Sequence, residues 1–423
     1  MNVKDATCVG GPDLRLWRNL LIAAGLALAL LQFFRAFHGR ETTFIANDGD
    51  WYYAYCASLY FDHDLDLSNQ MNTWAARAHT TPPNIVPGRP TRTAFTIGSA
   101  LLWMPAFAAG DLATRIGQRL GMPIARDGYA IPYQLAVALA TLVYGLIGVW
   151  FALRAAAWWV ERSGGGWRHG PGLAAATAVC ASPALYYLVF EPTMAHGLSV
   201  FAASLLVWLW FRTGPTARWN HWLALGLLGG LVALIRPQDS LLLVLPLSTA
   251  LRGEWRQASG RVLLVAAASA LVFSPQMVVW QLTHGHPLVI PQGPGHMLWW
   301  RPYLLQVWFS PHHGLFTWTP IWLIALLGLA SLPRQARPAV AAMLAVFLLE
   351  SYVNSCTRDW WAGDAFGSRR FLSQFPVFVL GLSTIASRVG ARHPGRVVAI
   401  GAVAVIANLA LTALYVTGRL AHG

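Results

Sequence analysis

Long apolar runs, each closed by Arg, Gly or Pro, recur from one end of the chain to the other. A run of about 17–25 apolar residues is what a helix needs to cross a hydrocarbon core of roughly 30 Å. The pattern predicts eleven membrane spans, over 17–37, 129–152, 172–190, 195–212, 221–236, 238–252, 262–282, 314–332, 338–352, 372–388 and 396–418. The first run follows a short basic stretch (Lys4, Arg15, Arg18) and lacks a small-residue cleavage site, so it reads as an uncleaved span. A further segment, 94–112, is apolar but short and carries Pro105 and Asp111.

Whether 94–112 crosses decides the orientation of everything after it, and charge discriminates the two arrangements. With the N-terminus cytoplasmic and 94–112 not crossing, the short inside segments hold 16 basic residues and the short outside segments hold 6. If 94–112 crosses, the same count becomes 9 inside and 13 outside. The excess of Lys and Arg in cytoplasmic loops favours the first arrangement, in which 94–112 is a juxtamembrane or re-entrant hairpin. The expected fold is therefore all-α and polytopic, about eleven transmembrane helices forming one transmembrane domain over 1–423. The expected place is the cell inner (plasma) membrane. Three polar stretches fall on the outside: a first loop over 38–128, then 283–313 and 353–371.

Composition agrees. Of 423 residues 56% are hydrophobic and 11% are charged, against about 25% charged in soluble domains. The net charge of +13 comes from one Lys and 29 Arg scattered between apolar runs. Nucleic-acid binding would need a clustered basic face, so that class is set aside. Cys8, Cys56, Cys180 and Cys356 show no metal spacing. Cys56 and Cys356 fall in loops placed outside, where a disulfide is chemically allowed, but unpaired thiols are the expectation.

The chemistry-bearing residues sit in those loops. Five of the 17 acidic residues (Asp48, Asp50, Asp62, Asp64, Asp66) fall within 19 positions. Trp51 to Phe61 reads as an amphipathic interfacial helix, with Asp48 just ahead of it as a general base or as a helix cap. Asp62-His63-Asp64-Leu65-Asp66 offers oxygens to a divalent cation, but a solvated turn is the expectation, and no cofactor or metal is assigned. His196, near Glu191 at a span junction, is either a site residue or a structural histidine. Arg236 is either a phosphate anchor or a snorkelling side chain paired with Asp239. The second loop carries Arg301 and the pair His312-His313, whose spacing matches no zinc motif. The third, Arg358-Asp-Trp-Trp-Ala-Gly-Asp-Ala-Phe-Gly-Ser-Arg-Arg370, combines Trp361, glycines and paired Arg369-Arg370, suited to a phosphate or to an interfacial anchor.

Four of these stretches together resemble the GT-C superfamily of membrane glycosyltransferases, which includes the protein O-mannosyltransferases and the lipid A aminoarabinose transferase. They are Asp48-Gly-Asp-Trp-Tyr-Tyr with Ser58-Leu and Asp62-His-Asp-Leu-Asp-Leu, the Glu191-to-His196 junction, Ser310-Pro-His-His-Gly-Leu-Phe with Thr319-Pro, and Trp361 to Arg370. The resemblance implies a polyprenyl-phosphate-linked sugar as donor and an envelope glycan, lipid or protein as acceptor, handled among membrane lipids on the outer face. It implies a catalytic Asp in the first outer loop, which by spacing to Tyr52 and Ser58-Leu59 is Asp48. Gly49 stands where many members carry Glu, so Asp50 is the candidate substitute. It further implies inverting displacement, with Asp48 taking the acceptor proton and Arg369 and Arg370, joined by Arg89, Arg92 or Arg301, stabilising the leaving phosphate. The family's large outer C-terminal domain has no counterpart in this sequence. The competing readings are a transporter or flippase of lipid-linked sugars, whose polar groups belong at mid-bilayer in broken helices, and a non-catalytic envelope-assembly protein.

Overall fold

A computed structural model describes residues 13–38, 44–332 and 334–420; Cys8 lies outside them. The chain opens with α1 (Leu14–His38), then α2 (Gly49–Ala57), which runs into a π-helical turn over Ser58–Asp62, then α3 (Ser68–Ala78) and α4 (Gly98–Arg119). Next come α5 (Ile131–Arg162), α6 (Gly170–Cys180), α7 (Pro183–Val189), α8 (His196–Phe211) and α9 (Trp219–Ile235). A 3-10 segment over Pro237–Leu243 leads into α10 (Val244–Ala250) and α11 (Trp255–His284). The short α12 (Leu304–Phe309) and α13 (Leu315–Trp318) precede α14 (Ile321–Ala330) and α15 (Arg337–Ser355). A second 3-10 segment, Arg369–Gln374, continues into α16 (Phe375–Gly390), and α17 (Pro394–Val416) follows. Among the described residues the only extended pairing is one isolated bridge, Met297 to Thr357.

Among the described residues six helices are long and apolar enough to cross a bilayer: α1, α5, α11, α15, α16 and α17, with the turns before α15 and α16 counted in. The bent pair α6–α7 makes a seventh if it is one span. The protein is thus an all-helical, multi-pass membrane protein. All eleven apolar runs are helical, but α8, α9 and α14 are shorter, 238–252 is split between a 3-10 turn and α10, and α4 is not among the spans. Proline at the first or second position starts α5, α6, α7, α15, α16 and α17, where its missing N–H costs nothing.

The span through α16 is 83% buried, while that of α1 is 11% and that of α17 is 17% buried. Hence α16 threads the middle, packed on α5, α6, α8 and α14, and α1 and α17 offer their faces to lipid. At the α14–α16 crossing Gly381 lies so close to α14 that an added Cβ would sit 2.0 Å from the Ala325 carbonyl oxygen. Small residues are how membrane helices approach this closely.

The break between α6 and α7 bends the chain by 65°. Pro183 has no N–H to give, and the Ser182 hydroxyl accepts from Ala184 N (3.2 Å). With Ala184 N turned to that hydroxyl the Cys180 carbonyl is left open, and Asn408 Nδ2 of α17 donates to it at 3.0 Å and to the Ser182 carbonyl at 3.2 Å. In a bilayer such groups need a protein partner. The bend steers Glu191 to Ala195 toward the start of α2.

Helix α2 corrects one expectation. Tyr52 through Ala57 are buried, and Tyr53 donates its hydroxyl proton to the Gly128 carbonyl (2.7 Å). The segment is a core element clamped between α3 and α4, not a helix lying in the headgroup zone. Its aromatic content made the interfacial reading attractive, but the rest of the long first loop folds over it and removes it from any surface. Cys56 and Cys356 are both buried free thiols.

Candidate functional site

The start of α2 and the segment before α16 meet directly. Asp48 Oδ2 accepts from Arg369 Nη2 at 2.7 Å, across 321 positions of sequence. Asp48 occupies the residue before α2, but its side chain caps nothing. Asn47 before it has φ +51°, a left-handed turn that Asn tolerates better than most residues. The Asp48 side chain is 38% exposed and that of Arg369 is 9% exposed, so a buried cation holds a carboxylate that still reaches open space.

That space is a cavity of about 250 Å³ lined by Asp48, Tyr52, His196, Arg236, Arg369 and Arg370, with Gln292, Asp359 and Gly363 among its further walls. Arg236 Nη1 lies 3.4 Å from His196 Nδ1. Arg370 donates to Asp359 Oδ2 (2.7 Å) and to Thr357 Oγ1 (2.6 Å). Three guanidinium groups against two carboxylates give the walls an excess of positive charge.

The third loop is braced from two sides. The Phe366 N–H donates to Tyr187 Oη of α7 (3.0 Å), and the Phe366 ring stacks on Tyr186 (4.7 Å between centroids). On the other side Leu298 N–H donates to the Cys356 carbonyl (2.6 Å) and Arg358 N–H to the His296 carbonyl (2.8 Å), joining the second loop to the third. Ala362 and Gly363 both take left-handed conformations, φ +66° and +63°, which turns the Ala362 carbonyl onto Arg369 Nη2 (2.9 Å). A non-glycine residue in that region is strained, and strain of this kind gathers at sites.

Of the residues singled out in the sequence, Asp48, His196, Arg236, Arg369 and Arg370 line this cavity. Trp361 and His313 line a small neighbouring recess that shares Arg369 and Arg370 with it. His313 is buried, holds the Trp361 carbonyl at 2.9 Å through Nδ1, and burial pushes its basicity down. Asp50 is not a cavity residue; its carboxylate accepts the N–H of Trp51 (2.6 Å), and burial raises it to about 7, with the Asp48 charge a smaller contribution. Arg89 and Arg301 are exposed elsewhere, and Arg92 donates to the Thr283 carbonyl at the end of α11 (2.8 Å). The structure does not bring these three to the cavity.

Gly49 has a steric reason. A Cβ there would sit 2.3 Å from Thr193 Oγ1, so no side chain fits while Thr193 donates to the Phe44 carbonyl (3.0 Å). The nearby buried acid is instead Glu191, delivered by the α7–α8 connection. Its Oε1 accepts from Asn47 Nδ2 (2.6 Å) and Tyr186 Oη (2.9 Å), and burial raises its carboxyl above the usual range. Asp62, Asp64 and Asp66 accept from Asn69, Ser58, Ser68 and Gly88, which makes them turn builders. Sequence reasoning missed Asp359 and Gln292 as wall residues; each is one polar residue in a polar loop, with nothing local to mark it.

Fold and cavity together define a multi-pass membrane protein with an arginine-walled polar cavity around Asp48. Comparisons with protein-family models, with curated proteins and with solved structures returned no match.

Proposed function

We propose that the chain is a membrane glycosyltransferase of the GT-C type, anchored in the plasma membrane by about eleven spans with the N-terminus cytoplasmic and the cavity outside. It moves a sugar from a polyprenyl-phosphate donor to an envelope glycan, lipid or protein. The observation that carries this reading is the contact of Asp48 with Arg369 inside a cavity also walled by Arg236 and Arg370. A carboxylate and guanidinium groups in one small polar cavity suit the two ends of a displacement.

In that reaction Asp48 takes the proton of the acceptor hydroxyl through Oδ1, the oxygen not engaged by Arg369. The acceptor oxygen forms its bond to the anomeric carbon on one face. The carbon–oxygen bond to the lipid phosphate breaks on the other, inverting the centre, and the phosphate departs with the electron pair. Arg369, Arg370 and Arg236 stabilise that charge, by bidentate hydrogen bonds where geometry allows. Trp361, 38% exposed at the rim, offers an apolar ring face to the C–H surface of a sugar.

The test is turnover of a labelled polyprenyl-phosphate hexose by purified full-length protein, with host membrane extract as acceptor source. Asp48→Asn is expected to lower transfer roughly 10²–10⁴-fold while donor binding persists. Full transfer by that variant would remove Asp48 from the mechanism.

A second reading, a flippase of lipid-linked sugars, draws support from the broken α6–α7 span and from Asp239 and Glu350 buried among apolar helices. Lipid translocation in vesicles that survives Asp48→Asn, with no transfer by the wild type, would favour it.

A further inference from the structure

Behind the cavity wall at Arg236, two more carboxylic acids are sealed among the helices. Asp239 sits in the 3-10 segment one turn past Arg236, Glu350 projects from α15, and each is 1% exposed. The segments 237–243 and 369–374 each pack on both α8 and α15 here. Ser373 donates to Glu350 Oε1 (2.7 Å), and Gln374 Nε2 donates to Oε2. Asp239 faces Ser199 of α8 and the same Ser373 that serves Glu350.

The charges around the pair are few. Arg236 Nη1 stands 3.7 Å from Asp239 Oδ1. From α8 the titratable neighbour is His196, which touches Arg236. Arg369 and Arg370, from the adjoining segment, are engaged by Asp48 and Asp359. Two acids therefore share one guanidinium in an apolar setting, where an uncompensated charge is avoided by neutralisation. Donors are short as well: Asp239 Oδ1 and Oδ2 and Gln374 Oε1 are buried without a hydrogen-bond partner, and the Ser199 hydroxyl is a single neutral donor facing Asp239. A metal ion on those oxygens would be opposed by Arg236. A proton both cancels the surplus charge and adds a donor.

We propose that Asp239 and Glu350 form a proton-binding site, in which the pair holds one proton and its remaining negative charge neutralises Arg236. Because Arg236 lines the cavity, the pair sets how much of that guanidinium's charge reaches an anion there. Its existence does not depend on the sugar-transfer reading.

Infrared difference spectroscopy of the full-length protein in nanodiscs tests it. Wild type minus Glu350→Gln and wild type minus Asp239→Asn should each show loss of one protonated carboxylic-acid carbonyl band, because in either variant the surviving acid ionises against Arg236. Wild type minus the double variant should show no greater loss. A double variant that cannot fold, when both single variants do, also supports the site, since Arg236 then loses its buried counter-charge. No band in either single difference, or a double variant removing about twice the intensity, overturns it.

Discussion

Asp48 stands where a helix cap belongs, yet its carboxylate turns away to Arg369. A residue that gives up local stabilisation for a distant partner marks a place where the fold serves something other than itself. Arg369 divides one nitrogen between Asp48 and the Ala362 carbonyl, so a lysine, with a compact charge on a different stem, does not replace it. Arg369→Lys is expected to lower transfer roughly 10²-fold, read in kcat with thermal unfolding measured alongside. Asp50 makes a prediction of its own. Burial lifts its carboxyl from 3.8 to about 7. Between those values the folded chain keeps a proton that the unfolded chain releases, so stability falls as pH rises from about 4 to 7 and then levels off. The shift bounds the loss at about 4 kcal/mol. Asp50→Asn should flatten this decline and unfold at a higher temperature than wild type at pH 8. Unchanged pH dependence in that variant would put the titration elsewhere.

At the scale of elements, the α6–α7 break positions the site. It ends one helix at Cys180, starts another at Pro183, and sends Glu191 and Thr193 against Asn47 and Gly49. Asn408 holds the break by donating from α17 to the open Cys180 carbonyl and to that of Ser182. Removing it strands the Cys180 acceptor, for a cost of roughly 1–2 kcal/mol. Asn408→Ala should therefore lower the unfolding temperature in detergent and reduce transfer too, since the start of α2 loosens with the bend. Lowered stability with undiminished transfer would show that the break does not position Asp48. The sequence offered one span over 172–190; its bend at Ser182-Pro183 was not legible, because the asparagine that satisfies it lies 226 positions away.

Across the whole molecule, the polar loops gather on the site while α1 and α17 face outward. The proposed orientation has a simple readout. Trp300, 95% exposed in the second loop, belongs outside, and Glu254, before α11, belongs inside. In a Cys8→Ser background, where the remaining thiols Cys56, Cys180 and Cys356 are wholly or largely shielded, a membrane-impermeant maleimide should label Trp300→Cys in intact cells and not Glu254→Cys. The reverse pattern would invert the topology.

Much was legible without coordinates. The apolar runs are helices because in lipid a backbone has few other ways to satisfy itself. The loops are polar because they leave the lipid, and Asp48, His196, Arg236, Arg369 and Arg370 stand out as charges or ring nitrogens at the ends of apolar runs. Glu350 also carried a signal, as a lone acid in an apolar helix. Arg89, Arg92 and Arg301 looked equally suitable in sequence, and nothing local separated them from Arg369. Which cations face Asp48, which acid lies behind Arg236, and why position 49 admits no side chain depend on contacts between segments hundreds of residues apart. Hydropathy reports each stretch's preference for lipid or water; it carries no information about which stretches share a neighbour, and that was settled only when the helices packed.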